Sequence, residues 1–196
     1  MFSGIIKGAI IGAIIAFIWG FVSWMVLPWH EMSLKGFKND GFVSWVIKEN
    51  SPKHGIYVSP YIDFSKKMSK DEKSKAWDKI TKKKEEGPVV FAAVLPNGIK
   101  GGMTSNLLIN LLTQFVSAGL ISYLLLKSNC SSYLGKVFFI GIIALIAAIL
   151  VNIPYWNWWY FPTKYTIVNM ADLIVTWLLA GLCMAPFVKI SAPKGV

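Results

Sequence analysis

The chain contains no arginine; all 20 of its basic residues are lysine. Arginine is the usual side chain for reading carboxylates and phosphates through a planar fork, and its absence, beside abundant Ile, Phe, Asn and Lys, reads as a compositional bias and not a chemical requirement. The net charge of +10 is accordingly read as that of a basic membrane protein and not as a nucleic-acid binder. Charge of either sign is scarce, at 15% of 196 residues, where a soluble domain carries about a quarter. What charge there is clusters. Nine of the ten acids and fourteen of the twenty lysines lie in residues 29–101. Asp172 is the one acid elsewhere.

Cysteine and histidine are equally sparse. Cys130 and Cys183 are far apart and have no partner at metal-ligand spacing, which excludes a disulfide framework and a cysteine-held metal. His30 and His54 are too few for a haem or a multi-histidine centre. The chain also lacks HExxH, GxSxG, a P-loop and a glycine-rich dinucleotide turn. No cofactor and no metal is expected, and the balance leans away from an enzyme.

What is abundant is apolar surface: 55% of residues are hydrophobic and the mean hydropathy is +0.52. One core cannot absorb that surplus in so short a chain. Four stretches are long enough to cross a bilayer of about 30 Å at about 1.5 Å per residue, namely residues 2–27, 103–126, 137–153 and 165–188. The third is the shortest and is expected to stand nearly upright. The first has Lys7 ahead of its apolar run, as a signal peptide would. Its run is too long for one, though, and ends in Trp24, Pro28, Trp29 and His30, so a retained helix is expected. Lysines of the short loops set the orientation. Lys7, Lys127, Lys136, Lys189 and Lys194 fall on one side and only Lys164 on the other. Both termini, with a tail at 191–196, are therefore expected in the cytoplasm and residues 29–101 outside it.

Residues 29–101 read as a small α+β insertion. Apolar Phe42, Val43, Trp45, Val46 and Ile47 predict a short helix over 40–50, stopped by Ser51-Pro52. A strand follows at 55–58. Ser69 and Glu72 form a capping-box pattern that opens a helix to about Glu86. Val89 to Leu95 reads as a buried strand closed by Pro96-Asn97-Gly98. The lysine-rich run from Lys66 to Lys84 is a solvated helix face, or a contact for anionic head groups.

Several residues stand out as candidates. Gly4, Gly8, Gly12, Ala16 and Gly20 repeat every fourth residue and leave one side of the first helix nearly bare, the GxxxG type of packing face. Its partner is either a helix of this chain or another protein. Asn106, Asn110 and Gln114, with Ser117, stripe the second segment, as polar glue or as the wall of a cavity. Asn169, Asp172 and Thr176 share a face of the fourth segment. An intramembrane acid is a proton site, a cation site or a structural acceptor for the amides of the second segment or of Asn152. Topology brings His30, Glu31 and Asn152 to the same boundary, where a His–acid pair could serve as an acid–base pair or relay. Trp24, Trp29, Trp156, Trp158 and Trp159 are interfacial anchors, with an aromatic lipid pocket as the alternative.

The run Trp24-Met-Val-Leu-Pro28-Trp-His30, then Phe37, then Pro52-Lys-His-Gly55-Ile-Tyr57-Val-Ser-Pro60, resembles small uncharacterised bacterial inner-membrane proteins. The resemblance covers about a fifth of the chain. It implies a bacterial inner membrane and a periplasmic loop, and no activity. Three function classes follow. One is a non-enzymatic interaction or assembly protein packing through the small-residue face of the first helix, with lipid and another membrane protein or a second copy as partners. The others are a small transporter or channel subunit built on Asp172 and the Asn/Gln stripe, and an interface enzyme acting on lipid through His30, Glu31 and Asp172.

Overall fold

The computed structural model describes residues 2–63 and 65–189. The tail at 191–196, with Lys194, lies outside them. The described chain divides into two compact units: residues 36–101 form one, and the segments on either side of them form the other.

The larger unit is helical. It holds α1 (Phe2–Phe21), α4 (Thr104–Lys127), α5 (Tyr133–Trp159) and α6 (Thr163–Met184). With their continuations, four helices are long and apolar enough to cross a membrane: Phe2–Val26, Thr104–Lys127, Tyr133–Trp159 and Thr163–Phe187. This is the architecture of a multi-pass membrane protein. Large apolar side chains such as Ile10, Ile14, Ile18, Leu108, Leu112, Phe138 and Leu150 stand exposed along these helices, an arrangement that suits hydrocarbon and not water.

The third apolar stretch is the longest of these helices at 27 residues, not the shortest. Pro154 sits within it and does not stop it. A proline forfeits the hydrogen bond to the carbonyl four residues back, but the helix runs on through Trp159. Tyr155, Trp156, Trp158 and Trp159 are therefore helical and do not form a loop. The connection to α6 shrinks to residues 160–162. Tyr160 turns the chain there with φ 57, and the amides of Tyr160 and Phe161 close back on the carbonyl of Tyr155.

The helices do not pack in chain order. α1 lies against both α4 and α6, and α6 against both α1 and α5, whereas the consecutive α4 and α5 barely touch. Ala118, Ile121 and Leu125 of α4, Ile140 and Ala144 of α5, and Trp177, Ala180 and Met184 of α6 make one buried cluster. The small-residue face of α1 is what admits this packing. Gly8, Gly12 and Ala16 are buried, as are Ala9 and Ala13. A Cβ on Gly12 would sit 2.8 Å from Ala118 Cβ and 3.0 Å from Met184 Sδ, and one on Gly8 would overlap the Ser122 hydroxyl. The partner helices at these positions belong to this chain. A Cβ on Gly4 would lie 3.5 Å from the Phe187 carbonyl oxygen, an ordinary contact, and one on Gly20 would meet open space. At the far end of the unit, Lys136 is buried and its Nζ donates to the carbonyls of Val188 (2.8 Å) and Ala185 (3.4 Å). A cation thus covers carbonyls that the end of α6 leaves unpaired.

The smaller unit holds α2 (Asp40–Asn50), β1 (Gly55–Ser59), α3 (Lys70–Glu86) and β2 (Val90–Val94). The strands pair antiparallel, Gly55 opposite Val94 and Ser59 opposite Val90. Asn39 caps α2 by accepting from the amide of Phe42. The capping box of α3 is complete: Glu72 accepts from the amide of Ser69, and the Ser69 hydroxyl accepts from the amide of Glu72. These bonds hold the Glu72 carboxyl below the ordinary glutamate value. Gly87, at φ 67, ends the helix in a conformation that a side chain would strain. Among the described residues here, Ile62, Ile80 and Val94 are the buried apolar ones. So few suit a unit of this size, which can form only a small core.

Candidate functional site

The site forms where α1 loosens. After Phe21 the helix widens into one π-turn, Val22–Val26, whose end is marked by the Leu27 amide bonding the Val22 carbonyl at 3.0 Å. Such wide turns recur at functional sites. The chain then folds back through Pro28, Trp29 and His30 into the short 3-10 turn Glu31–Ser33, which carries the His30 ring onto the end of its own helix.

Asp172, from the middle of α6, is the acceptor at the centre. Its Oδ1 receives Trp19 Nε1 at 2.8 Å and Ser23 Oγ at 2.7 Å, and its Oδ2 faces His30 Nε2 at 3.2 Å. His30 Nε2 also lies 3.2 Å from Ser23 Oγ. Trp29 Nε1 donates to both the hydroxyl and the carbonyl oxygen of Ser23 at 3.1 Å. The indole of Trp24 covers the imidazole face to face, centroids 3.8 Å apart and planes within 10°. Trp29 meets the same ring edge-on at 5.6 Å.

A carboxylate only accepts, so Trp19, Ser23 and His30 donate to Asp172. Ser23, having given its hydrogen to Asp172, is itself an acceptor for Trp29. His30 turns Nε2 toward both partners, and its Nδ1 is buried without one.

The geometry differs from that of a serine–histidine–acid triad. There a base takes the serine proton through one ring nitrogen while the acid orients the other. Here one nitrogen faces both partners, and the serine proton points at the acid. Ser23 is 0% and His30 2% exposed, which leaves no room for a substrate at the hydroxyl.

The sequence candidates divide accordingly. His30 and Asp172 are brought together, and Trp24 and Trp29 enclose them. Glu31 is exposed and stays outside the network. Thr176 Oγ1 donates to the Asp172 backbone carbonyl at 2.7 Å. Asn169 and Asn152 donate to carbonyls of their own helices, Tyr165 at 2.8 Å and Ala148 at 2.9 Å. Asn106 and Asn110 are exposed and Gln114 half-buried on α4, and none of the three reaches Asp172. The partners of Asp172 thus come from α1 and the turn after it. Trp156 bonds Thr163 Oγ1 at 3.1 Å across the α5–α6 turn, and Trp158 is exposed. Trp19 and Ser23 escaped sequence reasoning. Their spacing of four, which puts both on one face of the first helix, was the available signal. Cys130 is half-buried and Cys183 exposed, both as free thiols.

Comparison of the chain with family models, with curated proteins and with solved structures gives no match.

Proposed function

We propose that this chain is a four-span protein of a bacterial cytoplasmic membrane that works by non-enzymatic assembly with other envelope components. Both termini face the cytoplasm and residues 29–101 face the periplasm. The observation that carries the non-enzymatic reading is the closure of the Asp172 network. Its serine and histidine are buried, and Trp19, Ser23 and His30 all turn toward the Asp172 carboxyl. A network of this kind locks the end of α1 to α6 and holds the membrane unit in one arrangement. Since Gly8 and Gly12 are occupied by helices of the same chain, contact with partners falls to other surfaces. Phe42 and Trp45 on α2, 60% and 59% exposed, are suited to it.

Two experiments test this. A fluorophosphonate probe labels serines activated by a neighbouring base, and Ser23 is expected to stay unlabelled in native membranes. Labelling that His30→Ala abolishes would restore the enzyme reading. A photo-crosslinking side chain at position 45 is expected to trap a discrete protein partner in living cells, and one at the lipid-facing position 108 is not. Equal adducts at both positions, or none at either, would count against assembly through this unit.

A transport reading is favoured by one observation: Asp172 pairs with a histidine of a different segment and retains 15% side-chain exposure. Proton uptake by proteoliposomes that disappears in Asp172→Asn would establish it over assembly.

A further inference from the structure

A cavity of about 280 Å³ opens between α5 and α6, at the end of the hairpin where they are joined. It is separate from the Asp172 network. Asn152 and Tyr155 of α5, Phe161 of the turn, and Tyr165, Thr166 and Asn169 of α6 contribute to its wall. The aromatic rings form a continuous arc: Phe161 lies 5.3 Å from Tyr155 and 5.6 Å from Tyr165, centroid to centroid.

The polar groups of this wall have a defined polarity. Asn152 Nδ2 donates to the Ala148 carbonyl and Asn169 Nδ2 to the Tyr165 carbonyl. A carbonyl oxygen only accepts, so the nitrogen end of each amide is the one that faces it. The carbonyl oxygen Oδ1 of each amide keeps its lone pairs. Thr166 Oγ1 likewise gives its hydrogen to the Pro162 carbonyl at 3.2 Å and keeps its lone pairs. Three side-chain acceptors and an aromatic arc line the space, and no lysine or acid is among the lining residues. An anion would find no cation there. A primary ammonium carries three N–H donors and is attracted to aromatic faces, so it matches this wall in both respects.

We propose that this cavity binds the ammonium of an ethanolamine phospholipid head group. The lipid source follows from position. The cavity lies where two apolar helices end, beside Trp156, Trp158 and Trp159, and such aromatic belts mark head-group level. Its volume suits a head group and not an acyl chain. The inference rests on the reading of α5 and α6 as membrane spans.

The test uses the full chain in detergent, titrated with phosphatidylethanolamine, phosphatidylcholine or phosphatidylglycerol of identical acyl chains and followed by native mass spectrometry. At least tenfold tighter retention of phosphatidylethanolamine than of either other lipid is expected. Choline has no N–H to donate, and glycerol has no cation. Asn169→Leu and, separately, Tyr165→Leu are expected to reduce that preference to less than threefold. Millimolar free ethanolamine is expected to leave lipid binding unchanged. Equal retention of the three lipids, a preference that survives both variants, or displacement by free ethanolamine would each overturn the proposal. Carbonate extraction of native membranes keeps the two readings apart. Release of the chain would refute the spans, whereas retention without lipid selectivity would refute only the head-group site.

Discussion

Asp172 shows how a single side chain can be placed by sequence and still be misjudged. As the only acid outside residues 29–101, it was conspicuous, and its cost in an apolar helix demanded partners. The sequence offered the amides of the second segment, Asn152 and His30 as partners; of these only His30 reaches the carboxyl, and Trp19 and Ser23 supply the other bonds. Removing the acceptor strands them. Asp172→Leu is expected to destabilise the membrane unit by about 2–4 kcal/mol, because buried donors lose a charged acceptor. Asp172→Asn is expected to cost less, since one amide oxygen remains. Reversible unfolding in mixed micelles measures both. An Asp172→Leu variant as stable as the native chain would show that the network contributes nothing to the fold. Lys136 belongs at this scale as well. In the sequence it counted only as a cytoplasmic charge, whereas in the structure it covers the carbonyls of Ala185 and Val188. Lys136→Met is expected to lower stability by about 1–3 kcal/mol by leaving buried carbonyls unpaired.

Among the elements, α1 gives the sharpest contrast. Its five small residues are indistinguishable by spacing, but their surroundings differ. Gly12→Ala drives a methyl against the rigid Ala118 methyl and is expected to cost about 1–3 kcal/mol. Gly20→Ala meets open space and is expected to be neutral or to stabilise the helix by up to about 1 kcal/mol. Thermal unfolding of the two variants side by side is the measurement, and equal effects would contradict the close approach of α1 to α4 and α6. In α3 the capping box was legible from four residues, because both of its bonds are local. Glu72 is held below its ordinary range by the Ser69 bonds. The folded helix therefore binds that proton less readily than the unfolded chain does. Its stabilisation is present above the ordinary glutamate range and is lost as the pH falls through that range to the lower folded value. Amide exchange in the first turn of α3, compared with Glu72→Ala, is expected to be slower at neutral pH and to converge with the variant in acid.

At the scale of the whole molecule, the helix order α4–α1–α6–α5 of the larger unit positions the Asp172 network. It puts α1 between two helices that follow the middle segment, so the turn after α1 can fold back onto α6. It also leaves α5 and α6 as a hairpin with a cavity of its own. The proposed orientation has a direct test. A membrane-impermeant maleimide is expected to label Cys130 only when applied from the cytoplasmic face. Labelling of intact cells or right-side-out vesicles would invert the topology.

The sequence by itself determined the number and approximate limits of the apolar helices, the separate character of the middle segment and its two helices and two strands. Periodicity, capping patterns and apolar length are local properties, and local hydrogen bonding follows them. It failed at the end of the third apolar stretch. The stretch was read as ending at residue 153, but the helix continues past the missing N–H of Pro154 to Trp159. Only the tertiary structure decided which helices touch, that the glycine face of α1 is filled from within, and that Trp19 and Ser23 complete the Asp172 network. Those outcomes depend on close packing between residues distant in sequence, where a single methyl group or the direction of one turn selects the partner, and no spacing along the chain encodes that.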